Sequence, residues 1–287
     1  MLMLARWVMG GPFQALVVAV GLAVIPGLAW VSGAVVALVA LRKSVVDSVP
    51  PLVGAVAVAT LLHLNANSDV SQIVLVLSAW LGALVLANTR SLAWGLVITG
   101  LAAVLILMGV MTVATAQVEQ LTQMYRSFYD VWLTQMAAED AEQIRRYFRV
   151  EDLVVQAMAM MSVFCASAGL LLARWLQARL YNPGGFRLEF RQLRLNPYMA
   201  VGLVLMLVFS QSGHEARVLM SGVLMPLLLA GVALVHGLLG DKPNATPLLV
   251  IFYLGLLLSA GFGVMLLVTM AALDSLMNFR NRIRKEV

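Results

Sequence analysis

Residues 92–116 read LAWGLVITGLAAVLILMGVMTVATA, a run of 25 positions without one charged side chain. A helix rises about 1.5 Å per residue, so about 20 such residues cross the apolar layer of a bilayer. Inside that layer a backbone must satisfy its own polar groups, and a helix does so within one segment. The rest of the chain repeats this pattern. Hydrophobic residues make up 62% of the 287 and charged residues 11%, and mean hydropathy is +0.93. A soluble domain carries about 25% charged residues, enough to cover a wetted surface. Here lipid must be the solvent for most of the exterior. The length leaves room for about eight or nine membrane segments. The expectation is one all-α, polytopic transmembrane bundle over residues 1–287, with no separate soluble domain.

Outward from this run, the N-terminal helices occupy residues 13–116. Phe13 to Leu41 is apolar but interrupted by Pro26-Gly27, which predicts two short helices rather than one long one. Arg42-Lys43 follows, then Val45 to Leu64, opened by Pro50-Pro51. After a polar turn, Asn65-Ala66-Asn67-Ser68-Asp69, a further span runs from Val70 to Ala87. In the C-terminal helices, residues 153–287, Leu153 to Trp175, Val218 to Leu239 and Leu248 to Leu273 read as full spans. Tyr198 to Gln211 is apolar but short.

Residues 117–152 differ. Leu121, Met124, Tyr125, Phe128, Val131, Trp132 and Met136 recur at spacings of three and four among polar residues, the pattern of an amphipathic helix at a membrane surface. The segment holds seven acids and four bases. A net negative helix suits the leaflet facing away from anionic lipid, so the segment is expected to be extracytoplasmic.

Charge counting tests sidedness. If every apolar run crosses, Lys and Arg divide ten to nine. If Tyr198 to Gln211 dips in and returns, fourteen lie on the side of the basic loop Arg174–Pro197 and five opposite (Arg126, Arg145, Arg146, Arg149 and Lys242). The second arrangement is favoured, with both termini cytoplasmic in a bacterial inner membrane. Arg6 without a following cleavage region predicts a retained N-terminus. The basic pI of 9.7 reflects loop anchors rather than nucleic-acid binding.

No phosphate-binding loop, HExxH, CxxC or GxSxG occurs, and Cys165 is the sole cysteine. No catalytic residue, metal or cofactor is therefore expected. His63, Asn65, Asn67 and Asp69 gather polar groups at the outer turn. With Glu119 they form the candidate ligand site, since ionisable groups at a membrane edge are costly to keep. Asp274 and Arg280 read as a polar helix terminus in contact with the basic loop. Ala15, Ala19 and Ala23 make a small-residue face for close helix approach, either in packing within the bundle or as a candidate docking face for a partner subunit. Arg187, Arg191 and Arg194 of the basic loop are candidates for contact with a partner protein or anionic lipid.

The stretch LLARWLQARLYNPGGFRLEFRQLRLNP, ALVHGLLG, and the terminal ALDSLMNFRNR together resemble the YybS-like family of bacterial membrane proteins. That family is similar in fold to the substrate-binding S subunits of energy-coupling-factor transporters and to MreD-type rod-shape proteins. The resemblance implies a membrane component that binds or transports a small molecule with partner proteins. For Ala15, Ala19 and Ala23 it implies docking onto a coupling subunit. The alternative it implies is a non-transporting scaffold for envelope assembly, with the basic loop as its working surface.

Overall fold

A computed structural model of the chain describes residues 2–25, 27–66, 70–240, 242–259 and 261–280. All regular structure among them is helical. In chain order the helices are α1 (Leu2–Val8), α2 (Pro12–Val24), α3 (Ala29–Arg42), α4 (Val45–Ala66), α5 (Ser71–Thr89), α6 (Leu92–Met111), α7 (Thr115–Thr134), α8 (Ala138–Tyr147), α9 (Val150–Tyr181), α10 (Gly185–Arg191), α11 (Pro197–Phe209), α12 (His214–Leu239), α13 (Ala245–Leu258) and α14 (Gly261–Met277). Five of these, within α4, α5, α6, α9 and α12, are long and apolar enough to cross a membrane. The chain is thus an all-helical, multi-pass membrane protein. Helices α2, α3 and α11 are apolar but shorter.

Local chemistry explains the boundaries. Ser44 and Asp47 cap the start of α4 reciprocally: the Ser44 hydroxyl accepts from the Asp47 amide (3.1 Å) and donates to its carboxylate (2.8 Å). This cap starts the helix before Pro50-Pro51, which lie inside it instead of opening it. Helix α2 ends at Val24 and α3 begins at Ala29, and the two pack together, the Ser32 hydroxyl donating to the Ala19 carbonyl at 2.7 Å.

Helices α3, α5, α6, α9 and α12 form the centre. Leu38, Leu96, Leu170 and Leu227 are fully buried among small residues. Backbones approach closely where glycines meet. A Cβ on Gly100 of α6 would stand 2.5 Å from the Gly222 carbonyl of α12. Pro226 has no N–H to donate to that carbonyl, so the freed oxygen rests against Gly100. The exterior is apolar: Leu205, Val208 and Phe209 on α11, and Ile251, Leu257 and Leu258 on α13, are all exposed.

The two ends of the bundle differ in charge. At one, Arg42, Arg90 and Arg174 line a shared cavity where α3, α5 and α9 finish. The opposite end carries α7 and α8. Helix α11 connects the two. Its first residues, Met199 and Ala200, pack with Leu193 and Leu195 at the basic end. Beyond its last turn, Ser212 and Gly213 line a cavity with Arg149 and Asp152 at the far end. At that end Arg217 donates to the Tyr147 carbonyl (2.9 Å).

The expected dip at Tyr198–Gln211 is therefore corrected: this segment runs from end to end. The returning element is the segment read as one span, Leu248 to Leu273. It is broken into α13 and α14, bent by 120°. Gly240, at the end of α12 before the pair, accepts from Arg191 at 2.7 Å. Arg280, three residues past the end of α14, donates to the Arg191 carbonyl at 2.5 Å. Both ends of the pair thus meet at one arginine. Among the described residues, the basic end holds Arg6, Arg42, Lys43, Arg90, Arg174, Arg179, Arg187, Arg191, Arg194, Lys242 and Arg280. The other end holds Arg126, Arg145, Arg146, Arg149 and Arg217, a division of eleven to five. Relative to the expectation, Arg217 and Lys242 have exchanged ends and the bias is preserved.

Gly100→Val should lower stability by about 1–3 kcal/mol through overpacking at the α6–α12 crossing. Gly109→Val on the same helix meets nothing within 4 Å and should be near neutral. Thermal unfolding in mild detergent separates the two.

Candidate functional site

The aromatic residues of helix α7 stay largely exposed, Phe128 at 69%, and border a cleft on α9. Tyr125, Phe128, Tyr129 and Trp132, with Leu153, Val154, Ala157, Met158 and Met161 of α9, line an open cavity of about 600 Å³. Ser71 and Gln117 supply polar groups to its lining. The size is that of a small-molecule site, and methionines and aromatics give an adaptable apolar wall.

Polar contacts hold α7 in place. The Tyr129 hydroxyl donates to the Phe148 carbonyl at 2.6 Å, and burial raises its pKa above the ordinary phenol value. Arg126 pairs with Glu151 at 2.5 Å, and Gln117 accepts from the Val70 amide at 3.1 Å. The ion pairs are partly exposed and each contributes little.

The residues anticipated as ligand contacts lie elsewhere. His63 is half-buried and Asn65 exposed in the last turn of α4, where the Asn65 amide donates to the Leu61 carbonyl at 2.8 Å. Asn67 and Asp69 lie outside the described residues. Glu119 is on another face of α7, in the lining of a second cavity of about 440 Å³ with Thr122, Arg126 and Glu151. His63, Asn65 and Glu119 do not line the aromatic cavity.

The small-residue face packs within the bundle, which corrects the reading of it as a docking face. Ala15, Ala19 and Ala23 are 0, 0 and 1% exposed, packed with Val36, Val39, Leu52 and Ala55. Close approach is used within the chain, against α3 and α4, and leaves no alanine surface for another subunit.

At the basic end, Asp274 and Arg280 form a buried ion pair at 3.2 Å, with Asp274 only 1% exposed. Asp274 also accepts from the Phe279 amide (3.0 Å). Arg280 donates to the carbonyls of Arg191 (2.5 Å) and Leu193 (2.8 Å). Arg194 donates to the carbonyls of Asp274 (3.1 Å) and Ser275 (2.8 Å) near the end of α14, while Arg191 serves Gly240 after α12. Helix ends leave carbonyls without partners, and guanidinium, with five donors, supplies them. Arg191 and Arg194 are thus engaged inside the chain. Arg187 is exposed.

Helix α10 is tied to α9 by Glu189 and Arg174, 2.8 Å apart. Burial pushes the Glu189 carboxyl above the ordinary carboxylate range, against the pull of the Arg174 guanidinium.

The class defined by this arrangement is a membrane-embedded helical bundle with an apolar, aromatic-lined cavity at one end and an arginine clasp at the other. No family model, curated protein or solved structure matches the chain.

Removing one partner of a buried, fully bonded ion pair strands the other charge. Asp274→Ala should therefore destabilise the protein by about 3 kcal/mol, whereas Glu142→Ala, which breaks the exposed Arg146 pair, should shift the melting point little. Glu189 gives a second expectation. Its folded-state pKa lies above the unfolded one, so its stabilising contribution is full below the ordinary value of 4.5 and is lost as pH rises through the folded value. Melting temperatures stepped through that window should fall less steeply for Glu189→Gln.

Proposed function

We propose that this protein is a membrane-embedded binding or transport component that receives a small molecule with an apolar body and a polar head in the cavity beneath α7. It carries no energy source of its own and acts with other membrane proteins. The observation that supports this reading is the cavity: aromatic and methionine walls accept an apolar body, and Ser71 and Gln117 make part of its lining polar. The orientation that fits is the basic end in the cytoplasm of a bacterial inner membrane, with α7 and α8 outside, in agreement with the eleven-to-five charge bias. In that orientation α2, α3 and α11 cross together with the five long helices. With α13–α14 returning, they make eight crossings and one re-entrant pair. The sequence resemblance to YybS-like proteins, and through them to S subunits, points the same way. Burial of the alanine face means that any coupling partner must dock elsewhere.

A second reading is a non-transporting scaffold. It is favoured by the exposure of Arg187 on the basic loop, available to a partner protein.

Ala157→Phe places a ring in the cavity beside Met158 and Met161. Fatty acids and isoprenoid alcohols, added as probes to detergent-purified protein, should raise its melting temperature. Ala157→Phe should abolish the shift while leaving the unliganded melting point nearly unchanged. Equal shifts in both proteins, or a stoichiometric protein partner copurifying with an empty cavity, would favour the scaffold.

A further inference from the structure

A second cavity, of about 360 Å³, opens at the basic end among the ends of α3, α5 and α9. Three arginines from three helices converge on it: Arg42, Arg90 and Arg174. Gln177 and Glu189 complete its polar lining.

The arginines are held differently. Arg174 contacts Glu189 at 2.8 Å and donates to the Gln177 side-chain oxygen at 2.7 Å. Gln177 in turn donates to the Leu41 carbonyl at 2.9 Å, which fixes α9 against the end of α3. Arg42 stacks with its guanidinium carbon 4.3 Å from the Tyr181 ring centroid. Face-on stacking leaves the N–H edge of a guanidinium free for an oxyanion. Arg90 has no carboxylate partner among the described residues. It also occupies a left-handed backbone position, φ 54°, where glycine is the usual residue and any side chain carries a strain cost.

The bland alternative is that all three cations answer the negative ends of their helices. That account covers one charge per helix end but does not require the three to share a cavity. One carboxylate against three guanidiniums leaves an excess of two positive charges. Such an excess, at the boundary where spans finish, matches a phosphate held by paired N–H donors.

We infer that the Arg42–Arg90–Arg174 cavity is a binding site for the phosphate of an anionic phospholipid headgroup, with the acyl chains running along the bundle exterior. The arginine clasp at Asp274 is separate from it, because those donors are consumed by carbonyls.

Detergent-purified protein titrated with short-chain phosphatidic acid tests the assignment, with melting temperature and native mass spectrometry as readouts. Short-chain phosphatidylcholine and inorganic phosphate are the comparison probes. The anionic lipid should bind and stabilise. Arg42→Gln and Arg90→Gln should each weaken it about tenfold, the worth of one charge-assisted hydrogen bond, without altering the lipid-free melt. Arg187→Gln, outside the cavity, should bind as the parent does. Arg90→Lys should recover only part of the loss, since ammonium cannot bind phosphate bidentately. Equal stabilisation by phosphatidylcholine would overturn charge recognition. Equal stabilisation by inorganic phosphate would overturn the lipid as its source. Unchanged affinity in both glutamine variants would overturn the site.

Discussion

Arg280 meets the carboxylate of Asp274 and the carbonyls of Arg191 and Leu193, and the sidedness of the chain follows from that cluster. In lipid, a helix end without partners costs several kcal/mol per orphaned group. The clasp supplies those partners with guanidiniums instead of water, gathering the segments after α10, α12 and α14 at one place. Once Gly240 and Arg280 both meet Arg191, the α13–α14 pair has to return to the end from which it started. Helix α11 must then connect the two ends, and the basic side of the bundle is set.

Much of this was legible beforehand. A chain with 11% charged residues has few ways to build a wetted surface, so the all-helical bundle could be read from composition. The Pro26-Gly27 break and the contact between Asp274, Arg280 and the basic loop were also visible. Which apolar run returns was not. Length singled out Tyr198–Gln211, but the deciding contacts join residues 40 to 90 positions apart, and no local pattern records them. The stop between α13 and α14 has neither proline nor a charge to announce it.

The cavity was half legible. The spacing of Tyr125, Phe128 and Trp132 identified an apolar face, though not Tyr129 beside it, and membrane proteins commonly turn such a face to the interface. Here the face stays largely exposed, as that reading expects, and one edge of it also borders α9. Polar residues at loop ends drew attention to His63 and Glu119 because ionisable groups are costly near lipid. Yet a site for a mostly apolar ligand is built from apolar walls, and these resemble ordinary core in sequence. The alanine face carried the opposite ambiguity. Small residues permit close approach, but only the fold shows whether the approaching helix belongs to the same chain.

Everything rests on the path of the chain through the bilayer, and single-cysteine labelling in intact cells addresses it most directly. In a Cys165→Ala background, Arg145→Cys and Ser212→Cys should both react with a membrane-impermeant maleimide applied outside. Arg187→Cys and Lys242→Cys should react only after the membrane is opened. Labelling of residue 212 together with 187, on the side opposite 145, would mean that α11 turns back and would contradict this account.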